Sequence, residues 1–586
     1  MRASSTRKLL VTFTISLIAT MLFTLFSHRT FLYSGSASMF QSQSLDPFEQ
    51  QVLSLVNGSR AYNYDTELEK IALKHFEFRS GGSPGAEESA HWIKEQFESF
   101  GLNATLEQFE FATWNLMSRP TMKIDEDGNL STTSDELAMQ TFTPAHLSWP
   151  TPTNGVFNDL VTLPLPPAAD RSEIGLRPIN DTEWAVNTAA KVVLIGKEAR
   201  WSGSWTRRLN EKIVNQTPAA LIYTWWYDWM SFTPPLMSSA EGKTYWDLQL
   251  PVGFVDYYDG LWIRNREETV NVSAYVSIDS VIGIGTHYNV VGKIDGYKNP
   301  EKCLIVSSHY DTVTCCGFCD NGAGTAGVVE LAQVMATAVQ DGTYQPRYTL
   351  VFVAFADEEL WLVGSINYVK QHKNEMPNVI AVLNLDCIGS DRFTYTETEP
   401  SNGIDLDHIV NRAAQDVGIN SSIEPPGASD HETFRDPTWA HNLYYDFWHL
   451  DANISDAAPV KSSTLLISRP LFYSEKWNSG NLGWIHTSYD NSTSTQTLNW
   501  VETEDLENQI KVAALTILWI SPSPGIPGDI DFNGTVDILD AILLANAFDS
   551  KPEDPNWNPS ADINNDETID IYDAITLANH YGETSP

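Results

Sequence analysis

At 586 residues, 42% of them hydrophobic, the chain is long enough for several domains and a large core, which excludes an intrinsically disordered protein. A formal net charge of −39 argues against nucleic acid and anionic membrane surfaces as partners and fits a solvated, cation-binding protein. Five cysteines are too few for a disulfide scaffold in a chain of this size.

Residues 9–26 are almost entirely apolar and follow Arg2, Arg7 and Lys8. That pattern, within residues 1–45, is a signal peptide or an uncleaved signal anchor, so the chain is expected outside the cell or anchored at its surface by the N-terminus. Ser36-Ala-Ser38 offers small residues for cleavage, at some distance from the apolar run. Sequons at Asn57, Asn103, Asn129, Asn180, Asn215 and Asn271 suit an exported surface.

Residues 46–138 read as the first part of an α/β domain. The turn-forming segment Arg79-Ser-Gly-Gly-Ser-Pro-Gly85 precedes a helix marked by Ala86, Ala90, Ile93, Phe97 and Phe100 at helical spacing, with Gly101 to end it. Thr105–Phe111 reads as a strand. Residues 139–280 change texture, being rich in Pro, Trp and Tyr without clustered metal ligands. Strands are expected at Lys191–Ile195 and Ala219–Tyr223, with part of a helix at Leu209–Val214 between them. In order and texture this stretch resembles the protease-associated domain, a small β-rich insertion of exported peptidases. Trp225, Trp226, Trp229 and Tyr227 have two open readings, cover for a substrate cleft or ordinary core and surface aromatics.

From residue 281 the βα alternation resumes and runs to 520. Cys303–Val306 is a strand ending in Ser307-Ser-His-Tyr-Asp311, and Cys319-Asp-Asn-Gly-Ala-Gly324 opens a helix. Val351–Phe355 is an apolar run of the kind buried on both faces of a sheet, and it ends in Asp357, Glu358 and Glu359. Charges are expected to leave the core there, where open α/β sheets place ligands. Adjacent carboxylates on extended chain point to opposite sides, so one can hold a metal while its neighbour handles protons. Val379–Leu385 is a further strand, ending at Asp386. Ser429-Asp-His431 and Ile485-His-Thr-Ser-Tyr-Asp490 follow.

The order His309, Asp320, Glu358-Glu359, Asp386, His486 resembles the co-catalytic zinc aminopeptidases, the family that includes bacterial leucyl aminopeptidase and glutamate carboxypeptidase II. The resemblance implies a mixed, mostly parallel sheet flanked by helices and two Zn²⁺ ions. His309 and Asp386 would bind one ion, Glu359 and His486 the other, and Asp320 would bridge them. Glu358 would be the general base. Asp311 would accept the second imidazole N–H of His309, and Asp490 would do the same for His486. Asp430 and His431 resemble a segment lining the cleft and are not assigned as ligands. Two features depart from the family pattern. Cys315, Cys316 and Cys319 crowd the loop before Asp320, where a disulfide or a further metal site is expected, and Trp361 stands where a small residue is usual.

Glu504–Ile520 reads as the last helix of the catalytic domain and residues 521–527 as a plain linker. In residues 528–586 two segments repeat with a period of 33. Oxygen ligands recur at loop positions 1, 3, 5, 9 and 12, an EF-hand-type calcium pattern. They are Asp529, Asp531, Asn533, Asp537 and Asp540 in the first loop and Asp562, Asn564, Asp566, Asp570 and Asp573 in the second. Thr535 and Thr568 supply position 7. Glu567 stands where the first loop has Gly534, which is expected to strain the second turn. The duplication resembles the dockerin module, which implies two Ca²⁺ ions, a small α-helical fold and a cohesin-type partner. Ile538, Leu539, Leu543, Ile571 and Ile575 are expected to form its small core.

Together these features describe an exported di-zinc exopeptidase acting on peptides, an aminopeptidase first. A carboxypeptidase of the same fold is the nearest alternative, although no arginine cluster lies near the motifs to hold a substrate carboxylate. Glutaminyl cyclisation fits less well because such enzymes lack the insertion. A receptor that keeps the fold without catalysis, as transferrin receptor does, would have lost ligand positions, and all are filled here.

Overall fold

The computed structural model describes residues 45–583 apart from 46, 127–136, 140, 146, 164–186, 196–215, 225–248, 268, 402–403, 426–428, 449, 469–489, 494–500, 524–526, 531–534, 553, 555, 559 and 565. The N-terminal apolar segment, the Trp225–Trp229 group, the helix expected at Leu209–Val214, His486, Asp531 and Asn533 lie outside the described residues.

Three helices come first: α1 (Pro47–Leu53), α2 (Gly58–Lys74) and α3 (Pro84–Ser99). Asn57 caps α2 by accepting the Arg60 N–H. Ser83 caps α3, with Pro84 placed where a missing N–H costs nothing. Strand β1 (Asn103–Leu116) leads into eight strands of a second sheet. They are β2 (Thr121–Asp125), β3 (Leu137–Ala138), β4 (Thr143–Pro144), β5 (Val156–Thr162), β6 (Val192–Ile195), β7 (Ala220–Thr224), β8 (Val252–Val255) and β9 (Ser273–Ser277). Helix α4 (Tyr257–Glu267) precedes β9. This sheet takes in Thr121–Asp125, ahead of the expected start at 139, so that expected boundary falls inside it.

The chain then returns to the first sheet through β10 (Ser280–Ile294), β11 (Asn299–His309), α5 (Gly324–Gln340), β12 (Tyr348–Phe355), α6 (Val363–Gln371) and β13 (Val379–Leu385). It continues with β14 (Phe393–Thr396), α7 (Leu406–Val417), β15 (Ser421–Glu424), α8 (His431–Arg435), α9 (Pro437–Trp448), β16 (Ser463–Ser468) and α10 (Thr503–Ile520). The strand order is β1-β10-β12-β11-β13-β16-β14-β15. Every residue of β12 and β13 is buried, which is why both read as continuous apolar strings rather than alternating ones. Each buried Phe, such as Phe352 or Phe355, contributes about 1.5–3 kcal/mol. Phe318–Gln340, the turn before α5 together with α5, is long and apolar enough to cross a membrane, yet 83% of its apolar window is buried inside the protein and it serves as a core element.

Strands β12, β11, β13 and β16 run parallel, so the residues that follow them share one edge of the sheet. Strand β10 is antiparallel to β12 and pairs with it only across Val290–Ile294. Its earlier residues, still paired with β1 as far as Leu116↔Ser280, therefore overhang that same edge. The second sheet grows from the end of this overhang.

The tail contains α11 (Ile538–Ala547) and α12 (Ile571–His580), each opened by a capping box, Asp537 with Asp540 and Asp570 with Asp573. Its core is Ile530, Val536, Leu544, Ala547, Ala561, Ile569, Ala574 and Leu577, with Leu543 packed against it. Four residues expected there, Ile538, Leu539, Ile571 and Ile575, are instead 39–50% exposed. They lie on the outer faces of the helices, and Leu544, Ala547, Ala574 and Leu577 close the inner ones. The linker also departs from expectation at its start. Ser521 is buried and accepts the Tyr344 hydroxyl at 2.6 Å and the Tyr348 N–H at 2.9 Å, and Ser523 accepts the Gln345 N–H at 2.9 Å.

Candidate metal centre

His309 is the last residue of β11, and Asp386 follows β13 directly. Asp320 sits in the tight turn Phe318–Ala323 that leads into α5, where the Asp320–Asn321 peptide bond is cis. Parallel pairing of β11 with β13 puts the first two side by side, and the turn carries the third onto them. His309 Nε2 lies 3.4 Å from Asp320 Oδ1 and 3.5 Å from Asp386 Oδ1. All three residues are buried, and their donor atoms lie within 4.8 Å of one another, the one such group among the described residues. His309 Nε2 and Asp386 Oδ1 have no hydrogen-bond partner. Buried polar atoms are rarely left so, and an imidazole nitrogen facing two carboxylates is a donor set that fits a zinc ion.

Glu358 Oε2 lies 4.0 Å from His309 Nε2, at the rim of the cluster. The two carboxylate oxygens of Asp311 accept the main-chain N–H groups of Glu358 at 3.0 Å and Glu359 at 3.3 Å. His309 Nδ1 is 3.2 Å from the Asp311 carbonyl oxygen and 3.5 Å from its carboxylate. One aspartate thus holds the end of β11 to the end of β12. Asp386 Oδ2 accepts the Ser429 hydroxyl at 2.7 Å, Ser429 accepts the Asn384 amide at 2.9 Å, and Asn384 accepts the Ser307 hydroxyl at 2.8 Å. Asp490 accepts the N–H groups of Cys319 at 2.6 Å and Asp320 at 3.1 Å, which ties it to the Asp320 turn.

Burial pushes the Glu358 carboxyl well above its ordinary range, with His309 opposing that rise. Burial works against charge on His309, but the surrounding carboxylates, Glu358 and Asp386 foremost, outweigh it and raise the imidazole. Asp430, wholly buried, is pushed up to about 7 by desolvation, with His309 pulling the other way. The cluster is short of positive charge. Arg79, the buried arginine of the glycine-rich turn, does not supply it, because its guanidinium donates to the carbonyls of Tyr310, Cys316 and Gly317.

Several features were not legible beforehand. Asp357 does not emerge from the core as expected; it is fully buried and pairs with buried His287 at 2.6 Å. The antiparallel register explains this, since the overhang of β10 brings His287 opposite the residue two past β12. A Cβ on Gly81 would lie 1.4 Å from the Asp357 carboxylate, so only glycine fits that turn. Phe109 stacks on His287 with ring centroids 5.5 Å apart. Asp430 and His431 are both fully buried at the head of α8. No two cysteines of the Cys315–Cys319 loop are bonded to each other, and none of them joins a metal-holding group among the described residues. Cys315 and Cys316 instead line a cavity of about 360 Å³ together with Phe78, Met122 and Phe142.

In the second calcium-type loop, Asp562 accepts the N–H groups of Asp566 and Glu567 at 3.1 Å each, and Asp573 accepts that of Ile563 at 2.7 Å. Glu567 takes φ 63°, the left-handed conformation that glycine favours. In the first loop Asp540 accepts the N–H groups of Ile530 at 2.5 Å and Asp537 at 2.8 Å, the same arrangement as in the repeat.

Residues 289–507 match the model of peptidase family M28 and residues 527–580 that of the dockerin type I domain. The chain carries a peptidase family M28 domain. The M28 segment contains every residue of the cluster, and the dockerin segment contains both capping boxes. A glutamate carboxypeptidase 2 homolog from Caenorhabditis briggsae is 29% identical over 188 residues, 32% of this chain and 21% of that protein. A probable zinc metalloprotease from Pyricularia oryzae is 36% identical over 121 residues, 19% of this chain and 23% of that protein. The chain thus spans 21% and 23% of the lengths of these two relatives. Among solved structures, a zinc aminopeptidase from Bacillus subtilis aligns at TM-score 0.52 and 18% identity, covering 79% of this chain and 95% of that one. A peptidase M28 precursor from Shewanella amazonensis aligns at 0.53 and 17%, covering 81% and 99%. These two structures share the fold, a mixed sheet flanked by helices.

Proposed function

We propose that the protein is an exported zinc-dependent aminopeptidase with a calcium-loaded dockerin module. The observation that carries the enzymatic reading is the buried His309–Asp320–Asp386 group with Glu358 4.0 Å from His309. His309 and Asp386 would hold one zinc ion, Glu359 and His486 a second, and Asp320 would bridge them. Zinc, when bound, lowers the pKa of a water and polarises the scissile carbonyl. Glu358 takes the proton of the attacking water and delivers it to the leaving amine. Asp311 keeps Glu358 and Glu359 in place through their main-chain N–H groups and faces the far side of the His309 ring. Asp386 is kept in register by the Ser429–Asn384–Ser307 chain.

The charge of the cleft favours a free amine over a free carboxylate at the substrate terminus. Asp311, Asp320, Glu358, Asp386 and Asp430 crowd it, and the buried Arg79 spends its donors on carbonyls. A carboxypeptidase is the second reading, favoured by the name of the Caenorhabditis briggsae relative. Peptides with free and with blocked N-termini, assayed with and without added Zn²⁺, separate the two. Cleavage of amino-blocked substrates from the C-terminus would overturn the aminopeptidase reading.

The dockerin segment supports an extracellular or cell-surface setting and a cohesin-type partner. The N-terminal apolar segment would direct export or anchor the chain. Two Ca²⁺ ions would be held by the oxygen ligands of its loops, Asp529, Asp531, Asn533, Thr535, Asp537 and Asp540 in one and Asp562, Asn564, Asp566, Thr568, Asp570 and Asp573 in the other.

A further inference from the structure

We propose that Cys319 and Cys387 are joined by a disulfide that staples together the two segments carrying Asp320 and Asp386. Cys319 directly precedes Asp320, and Cys387 directly follows Asp386. The backbone around them brings the two cysteines onto adjoining segments. The Asn321 amide donates to the Leu385 carbonyl at 2.9 Å, and its oxygen accepts the N–H groups of Cys387 at 3.2 Å and Gly324 at 2.9 Å. Asp490 fixes Cys319 by accepting its N–H at 2.6 Å. Ser468 fixes Cys387 by donating its N–H at 3.1 Å and its hydroxyl at 2.9 Å to the carbonyl. The two cysteines therefore sit on adjoining, anchored segments, as ring closure requires. The other three thiols are differently placed: Cys303 belongs to β11, and Cys315 and Cys316 face the cavity.

The oxidant is a low-molecular-weight disulfide, and the step is two thiol–disulfide exchanges. The sulfur of one cysteine, as thiolate, attacks the small disulfide, whose S–S bond breaks and releases one small thiol. The second cysteine then attacks the mixed disulfide and releases the other. Both protein protons end on the two small thiols, the cysteines are oxidised and the small disulfide is reduced. Cys319 is 7% and Cys387 8% exposed, so the exchange belongs to folding, while the thiols are still accessible. Once closed, the bond holds the segments of two expected zinc ligands together without help from the metal.

The test uses the full-length protein refolded in oxidised or in reduced glutathione, then alkylated and mapped by mass spectrometry. A Cys319–Cys387 cross-linked peptide in the oxidised sample, with Cys303, Cys315 and Cys316 alkylated, is expected. Alkylation of both Cys319 and Cys387 there, or a link from Cys319 to Cys315 or Cys316, would overturn the proposal. The second arm rests on the zinc reading: both samples are loaded with zinc and its release into a chelator is timed. Release should be roughly tenfold slower from the linked protein, the scale at which groups behind the ligands tune metal sites. The difference should vanish in Cys387→Ser and persist in Cys303→Ser. Equal release from linked and unlinked protein would overturn the stapling role. A chain that takes up no zinc would sink the zinc reading, and the peptide map would still decide the bond.

Discussion

At the scale of single residues, the site divides into groups that do chemistry and groups that hold them. Glu358→Gln keeps the shape but cannot accept a proton, so zinc content should persist while turnover falls by roughly 10²–10⁴. Elemental analysis beside a peptidase assay checks both halves, and near-normal turnover would remove Glu358 from the reaction. Asp311→Ala should act differently, since it frees the N–H groups of Glu358 and Glu359 together. Zinc affinity should then drop by roughly 10–100-fold, measured by competition with a chelator. Glu567 poses a question of backbone. Its φ of 63° costs a side-chain-bearing residue about 1–2 kcal/mol, so Glu567→Gly should stabilise the calcium-loaded tail by about 1 kcal/mol in thermal melts. An unchanged or lower melting temperature would mean that the turn is not strained.

At the scale of elements, much was legible. The parallel strands β12 and β13 are buried on both faces, so their sequences are unbroken apolar runs and the charges that end them stand out. The calcium-type loops were legible because their oxygen ligands are spaced by the chain itself. What stayed hidden depends on register and packing between distant segments. His287 meets Asp357 only because β10 overhangs β12, and no local pattern around either residue announces it. Arg79 reads as one cation in a turn, although it anchors the loop before Asp320. The tail core differs from expectation because its large residues are Ile530, Val536, Leu544, Ile569 and Leu577, while Ile538, Leu539, Ile571 and Ile575 face out. His372, just past α6, shows an element held by titratable groups: its ring nitrogens meet Glu107 at 3.0 Å and Glu375 at 3.2 Å. Burial opposes its charge, but the two glutamates outweigh it and raise its pKa above 6.5. A raised folded pKa means that the stabilisation is complete below 6.5 and is lost as pH rises through the folded value. The stability of His372→Gln, from thermal melts, should therefore lag wild type most on the acid side, by about 1 kcal/mol, and converge with it in alkali.

At the scale of the whole molecule, the tail and the peptidase should behave as separate folding units. The tail core is small and alanine-rich, and its loops gather many carboxylates, so calcium binding supplies much of its folding free energy. Circular dichroism of residues 525–586 should show loss of helix in chelator and recovery with Ca²⁺; a helical apo tail would refute this. The cut must respect Ser521 and Ser523, which are bonded to the peptidase. Ending the chain at 524 should leave turnover nearly intact.

The pairing of Leu116 with Ser280 has a consequence for how such a chain can change over time. The residues on either side of the second sheet are neighbours across a ladder, so the peptidase sheet registers only two adjacent ends. A short turn or a whole folded unit can bridge those ends, since the entropy of closing a loop grows only with the logarithm of its length. Everything between them is a cassette, open to loss, exchange or enlargement in different lineages. Its root is not free in the same way. The ladder just below it carries His287 against Asp357, beside Glu358, so a graft is tolerated at the tip of the hairpin and not at its base.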